Sequence, residues 1–404
     1  MKDNFRKKKL KNGMTVLFEK RDIPVVSLSI SVRCGGINED MDEKGISHFI
    51  EHMLYKGTSK RDAYMIAQEI EKKGGELNGF TAEDITSFWC KMPSRHLDTA
   101  LEVLSDIMKN PKFDSEEIEK ERRVIFEELK MRKDSPRHYV VDKIQSMLYT
   151  GTLGADLIGT EETMNSIKRK HLVKRFKEVY SAENMILTVV GNCEFEKIVD
   201  WAEKNFKKKK GKIKKIKFRK RNGVLVEERE GIDQANMILA FHSPLASSKK
   251  VYAAEILATL MGGGMSSRLF SEIREKRNLV YSIQSDLDTN KEYSHTIVYA
   301  GCNGDKIEEV RKLILKEFDK VSKTLTEKEL NSIKDQLVGN FEISMEDSQR
   351  QMIHLLVSEI DSKAEDFYDY AKNVMDVKLK DVKELASKVK EGKYSFFALV
   401  PAEK

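Results

Sequence analysis

The order of apolar runs and turns is read twice along this chain, once on each side of a Lys-rich segment. Before that segment, "MTVLFEK" and "VVSLSISVRCGG" have the β-branched, alternating character of strands. Helical patterns follow from Gly45 to Tyr55 and from Asp62 to Lys73, then strands "GELNGFT" and "DITSFWCKM". A helical block from Ser94 to about Glu178, a buried strand "NMILTVVGN" and a short helix to Phe206 complete the half. After the segment the same order returns. "GVLVEERE" and "QANMILAFHSP" are strands, with helices over about Lys249 to Leu260 and Ser267 to Lys276. Strands "LVYSIQSDLDT" and "SHTIVYAG", helices from Lys306 to about Val389, and "YSFFALV" close the chain. This predicts an α+β unit of roughly 200 residues used twice. The expected organisation is residues 1–206, a linker at 207–221, and 222–404.

The linker, "KKKKGKIKKIKFRKR", holds eleven Lys/Arg and no acid, against a net charge of +6 for all 404 residues. The basicity belongs to that segment, and the rest of the chain is net acidic. A basic run can bind nucleic acid or a membrane surface, or it can be a solvated connection. Few aromatics interleave it and it lies midway along the chain, which favours the connection. No apolar run reaches the eighteen residues of a membrane span, and the N-terminal stretch has no apolar core of a secretory signal. The four cysteines, Cys34, Cys90, Cys193 and Cys302, are scattered and form no C-x-x-C. That argues against a disulfide framework or a cysteine-ligated metal, and a reducing cytoplasm is the expected compartment.

The chemistry-bearing stretch is "GISHFIEHMLYKG", Gly45 to Gly57. On a helix, His48, Glu51 and His52 fall on one arc of about 100°. Ile46, Phe49, Ile50, Met53 and Leu54 take the opposite arc, so the packing face is separate from the His/Glu face. Two imidazoles one turn apart can reach one zinc ion. A glutamate beside them can take a proton from water at the ion. The other reading is a solvated face that contains two histidines. The second half has no such motif; its matching helix is "VYAAEILATLMGGG".

A catalytic zinc takes three protein ligands and keeps one position open. "DSEEIEKERRVIFEELKMRK" reads as a long helix starting at a cap-like Asp114/Ser115. With Ile118 at 0°, Val124, Ile125 and Leu129 span an arc from about 240° to 20°. Glu121 and Glu128 fall inside that arc and Glu127 falls outside it. A carboxylate aimed at a buried face needs a partner. A metal would serve, and so would Arg122 or Arg123.

These motifs together resemble the pitrilysin family of zinc peptidases, the inverzincins, whose signature is H-x-x-E-H followed by a glutamate on a later helix. "HFIEH" and "FEELK" match it, and Glu128 follows His52 by 76 residues. "GGELNGFTAEDITSFW", "GTEETMNSI" and "GGGMSSRLFSEIREKRNLVYSI" match further family segments, so the likeness covers both halves. The chain is similar to the short members that resemble processing-peptidase subunits. The resemblance implies two homologous domains, each a mixed, mainly antiparallel sheet packed with helices. It implies one Zn²⁺ per chain on His48, His52 and Glu128, with Glu51 as general base and Glu121 behind a ligand histidine. Asn78 and the strand "ITSFWCKM" would receive an extended peptide, and Arg274 and Tyr281 would bind the substrate carbonyl. Long family members enclose the substrate between two two-domain halves. The resemblance therefore implies a homodimer whose site is completed by the partner's Arg274 and Tyr281. Competing readings are a non-catalytic subunit of a peptidase complex and a nucleic-acid-binding protein acting through 207–221.

Overall fold

A computed structural model describes residues 4–215, 217–390 and 392–402, so Ile216 of the basic segment lies outside the described residues. The strands are β1 (Phe5–Lys9), β2 (Thr15–Lys20), β3 (Val25–Val32), β4 (Glu76–Thr81), β5 (Thr86–Pro93) and β6 (Met185–Gly191), then β7 (Val224–Arg229), β8 (Ala235–His242), β9 (Val280–Thr289), β10 (Ser294–Cys302) and β11 (Ser395–Pro401). The first-half helices are α1 (Ile46–Leu54), α2 (Ala63–Glu71), α3 (Leu97–Lys109), α4 (Ser115–Asp134), α5 (Pro136–Leu148), α6 (Glu161–Ser166), α7 (Arg169–Val179) and α8 (Phe195–Asn205). The second half contributes α9 (Val251–Gly262), α10 (Ile307–Thr324), α11 (Glu327–Ser344) and α12 (Ser348–Asp361), followed by two shorter helices.

The sheets share one topology. The first runs β1-β2-β6-β3-β5-β4 and the second β7-β11-β8-β10-β9. Without β1, each strand of the first sheet has its counterpart in the same place in the second. The pairings β2/β6 and β7/β11 are both parallel, and the remaining ladders are antiparallel. Two homologous α+β domains are thus present. Strand β1, "FRKKK", was not expected. Its side chains are nearly all exposed and it borders the sheet on one side only. Lysines along an edge discourage pairing with another chain, and they remove the apolar alternation by which a strand is recognised.

The compact units are not consecutive in sequence. The first comprises Met1–Lys130, Gly151–Phe218 and Ser344–Ile360; the second comprises Met131–Thr150, Arg219–Ile343 and Asp361–Lys404. In the first unit, β3 alternates Val26, Leu28, Ile30 and Val32 toward the main core with Ser27, Ser29 and Ser31 on the other face, all buried. That serine face meets α12: Ser27 Oγ lies 2.8 Å from Ser348 Oγ, and Lys91 donates to Asp347 at 3.0 Å. In the second unit α5 packs on β8 and β11, with Tyr139 edge-on to Phe397 at 6.0 Å.

Candidate metal centre

Helix α1 starts at Gly45, whose φ of +92° is left-handed and whose missing Cβ would sit 2.5 Å from the Ile158 carbonyl oxygen. Only glycine fits there, and it brings no capping side chain. The cap comes from Glu39, whose carboxylate accepts the Gly45 N–H at 2.9 Å and the Ser47 N–H at 2.7 Å. Lys44 is 2 % exposed and lies 3.7 Å from Glu39 and 3.8 Å from Glu83, donating to the Gly36 carbonyl at 2.9 Å. This buried triad holds the start of α1 against the β4–β5 turn. Sequence reasoning missed all three residues. The one available signal was a glycine where Ser, Thr, Asp or Asn normally caps.

Ile46, Phe49, Ile50, Met53 and Leu54 are all buried in the first core. Each such side chain contributes about 1.5–3 kcal/mol of transfer free energy, and together they fix the helix rotation. The opposite face therefore carries His48, Glu51 and His52 in one orientation. His48 Nε2 and His52 Nε2 are 3.3 Å apart, and Glu128 Oε2 is 3.5 Å from the first and 3.9 Å from the second. Three ligands about 2.0–2.1 Å from one zinc in tetrahedral array lie about 3.3 Å apart. The donor set fits that ion. Two imidazole nitrogens and a carboxylate oxygen converging this closely need a cation or protons between them. Among the described residues this is the group of histidine, cysteine and carboxylate side chains arranged to hold a metal.

On α4, Glu121 is 6 % exposed, while Glu127 is exposed and Glu128 is half-buried toward α1. Glu121 Oε2 accepts from His52 Nδ1 at 3.0 Å, and its other oxygen meets Lys56 Nζ at 2.8 Å. Burial alone would push this carboxyl up, but the hydrogen bonds from His52 and Lys56 hold it below its ordinary value. A proton on His52 Nδ1 leaves Nε2 with its lone pair facing the metal position, the tautomer a ligand needs. Arg122 does not neutralise these carboxylates. Its guanidinium pairs with Glu119 and donates to the Met164 and Ile167 carbonyls. Val124, expected on the apolar arc, is 49 % exposed because it stands at the arc's margin, about 100° from buried Ile125, and the buried face is instead centred nearer Ile118, Arg122 and Ile125.

Glu51 accepts from Thr81 Oγ1 of β4 at 2.5 Å. Burial raises its carboxyl above the usual range, against the Thr81 hydrogen bond and the nearby His52. A Cβ on Gly79 would lie 2.6 Å from the Tyr55 hydroxyl and 3.4 Å from Glu51 Oε1, so glycine lets the strand backbone run close to the helix. The strand expected to receive a peptide needs correction. "ITSFWCKM" is β5, which pairs with β3 on one side and β4 on the other. The open edge is β4, one strand over, and it carries Asn78, exposed with its Oδ1 accepting the Gly79 N–H at 2.8 Å.

Arg274 and Tyr281 belong to the second unit. Arg274 lies on a π-type turn of helix, Phe270–Glu275, with its guanidinium 4.7 Å from the Phe270 ring centre. Tyr281 is 46 % exposed on β9, the edge strand that corresponds to β4, with its ring over Gly301. Tyr281 is thus not part of the core, and no Arg274–carboxylate pair is seen among the described residues.

Residues 15–161 match the family described as Insulinase (Peptidase family M16), and residues 166–337 match its Peptidase M16 inactive domain. An uncharacterized zinc protease of Rickettsia felis is 35 % identical over 86 % of this chain and 85 % of its own length. The uncharacterized zinc protease YmxG of Bacillus subtilis is 30 % identical over 84 % of each. A crystal structure of a protease from Helicobacter pylori superposes with a TM-score of 0.92 at 24 % identity, covering 98 % of this chain and 99 % of that one. A peptidase M16 inactive domain from Pseudomonas fluorescens gives 0.89 at 19 %, covering 99 % and 98 %. At those identities the two structures bear on the fold alone. A duplicated α+β scaffold with zinc-protease relatives and a metal-ligand group in one copy defines the class, a metallopeptidase. Within it, the chain belongs to the insulinase family, peptidase family M16.

Proposed function

We propose that this protein is a zinc-dependent endopeptidase with one Zn²⁺ per chain on His48, His52 and Glu128. The observation that carries the reading is the spacing of those three donor atoms, with Glu121 fixing the His52 tautomer. Zinc bound there would supply a lowered water pKa and a polarised scissile carbonyl. Glu51, with its carboxyl raised by burial, takes the proton of the attacking water and delivers it to the leaving amine. Thr81 holds the Glu51 carboxylate by one oxygen and leaves the other to work. A peptide laid along β4 would extend the sheet, bonding through main-chain groups beside Asn78, and so would be read with broad side-chain preference. Arg274 and Tyr281 would donate to the developing oxyanion from the partner chain of a homodimer that encloses the substrate. No helix among the described residues is long and apolar enough to cross a membrane, and all four cysteines are free and buried, which fits a reducing cytoplasm.

The test is metal analysis paired with cleavage of a quenched peptide library. Zinc at one per chain with cleavage abolished by a chelator and restored by zinc is the expected result. A metal-free chain that cleaves equally well, or a zinc-loaded chain that cleaves nothing, contradicts the reading.

A further inference from the structure

The basic segment supplies none of the metal-ligand residues, yet its start forms one wall of a groove in the first unit. The groove encloses about 600 Å³. Lys109, Lys112, Arg169, Lys177, Lys207 and Lys209 line it, and among the described residues no Asp or Glu does. Three of these cations are tied to uncharged groups. Lys109 reaches the Asn205 side chain at 3.3 Å, Arg169 donates to the Phe113 carbonyl at 2.7 Å, and Lys209 donates to the Lys177 carbonyl at 2.6 Å. Such bonds fix the side chains without cancelling their charge. Lys112, Lys177 and Lys207 are exposed, and none makes an ion pair among the described residues. Six like charges around one concavity focus a positive potential into it.

The floor is apolar. Met108, Phe113, Val173, Phe176 and Phe206 form it, with Phe113 and Phe176 edge to face at 5.4 Å. Phe113 and Phe206 are only 3 % and 5 % exposed and Phe176 is half-buried against Phe113, so the floor is not the row of exposed ring faces on which successive bases stack. The site is also concave, whereas a membrane-surface element presents its apolar side chains outward. What fits a cationic rim over a recessed apolar floor is a flexible chain with carboxylates on either side of one apolar side chain.

We propose that this groove binds an acidic peptide segment carrying an apolar anchor residue. Its carboxylates pair with Lys112, Lys177 and Lys207, and its anchor lies on the half-buried Val173 and Phe176. The site involves no bond-breaking step, so it stands or falls separately from the metal centre.

The test uses the full chain with Glu51→Gln, so that no probe is cut, and follows fluorescence anisotropy. The probe is a short labelled peptide of glutamates interrupted by one leucine. Saturable binding is expected, weakening with added salt. It should weaken by about tenfold with Lys112→Glu/Lys177→Glu/Lys207→Glu, and stay unchanged with Lys390→Glu/Lys393→Glu, exposed lysines of the second unit. Replacing the probe's leucine by glutamine should weaken binding to the unaltered groove, a readout that no folding defect can mimic. Equal binding by the triple variant, indifference to the leucine, or preferential binding of an oligonucleotide or an anionic vesicle overturns the proposal.

Discussion

The first and second units have the same strand order and differ in what their helices bring to it. α1 presents two histidines and a glutamate; α9, which follows the corresponding strand, is apolar nearly throughout, with Ala253, Ala254, Ile256, Leu257 and Leu260 buried. α4 and α11 make the comparison closer. Buried Ile118, Arg122 and Ile125 on α4 have the spacing of buried Leu330, Lys334 and Leu337 on α11. Arg122 donates to the Met164 and Ile167 carbonyls, and Lys334 to those of Met375 and Val377 at 2.9 and 2.7 Å. A buried cation closing a later turn is therefore part of the fold and occurs in both copies. The same spacing places Ile333 where α4 has Glu121 and Asn340 where it has Glu128. The repeat carries the scaffold, and a handful of positions in one copy carries the metal chemistry.

The comparison breaks most visibly at Glu51. Glu51→Gln should keep zinc and lose about 10²–10⁴ in kcat, because glutamine keeps the Thr81 contact but cannot accept a proton. Metal content and kcat measured on the same sample check this, and wild-type turnover would remove Glu51 from the base role. Arg274→Ala/Tyr281→Ala should cost about 10²–10³ in kcat with zinc retained, as loss of oxyanion donors does. Mixing that variant with Glu51→Gln under subunit exchange should recover activity, since a mixed dimer contains one intact site. Shown exchange without recovery, or an active monomer, rules out the arrangement in trans.

Smaller effects sharpen the contrast between α4 and α11. Glu121→Ala frees the His52 tautomer and should weaken zinc affinity by about 10–100-fold, read by competition with a chromogenic chelator. Arg122→Met and Lys334→Met each leave carbonyls without a donor and should cost about 1–3 kcal/mol in denaturant unfolding. Only the Arg122 change, on the helix that bears Glu128, should also disturb zinc binding. Equal effects on zinc from both would mean that the Arg122 effect does not depend on its place on the helix that bears Glu128.

Much of this was readable from local pattern. The strand order repeats because each unit needs the same alternation to close a core, and the α1 face follows from helical spacing alone. The arc on α4 separated Glu121 and Glu128 from Glu127, although it misplaced Val124 at its margin. What could not be read depends on partners distant in sequence. Nothing in "SQRQMIHLLVSEID" says that its polar side meets the serines of β3. Nothing near Glu39 says that it caps a helix whose N-terminal cap position, Gly45, lies six residues later. The open edge fell to β4 rather than β5 because pairing is decided by neighbours across the sheet, and both strands alternate equally well.

The central claim is that the metal chemistry resides in the first unit on a ligand set that includes Glu128. Zinc content per chain, measured on the wild type and on Glu127→Gln and Glu128→Gln after identical dialysis, tests it most directly. The account predicts one zinc per chain in the wild type and in Glu127→Gln, and none retained in Glu128→Gln. Two zinc ions per chain, or metal lost from Glu127→Gln and kept by Glu128→Gln, would contradict it.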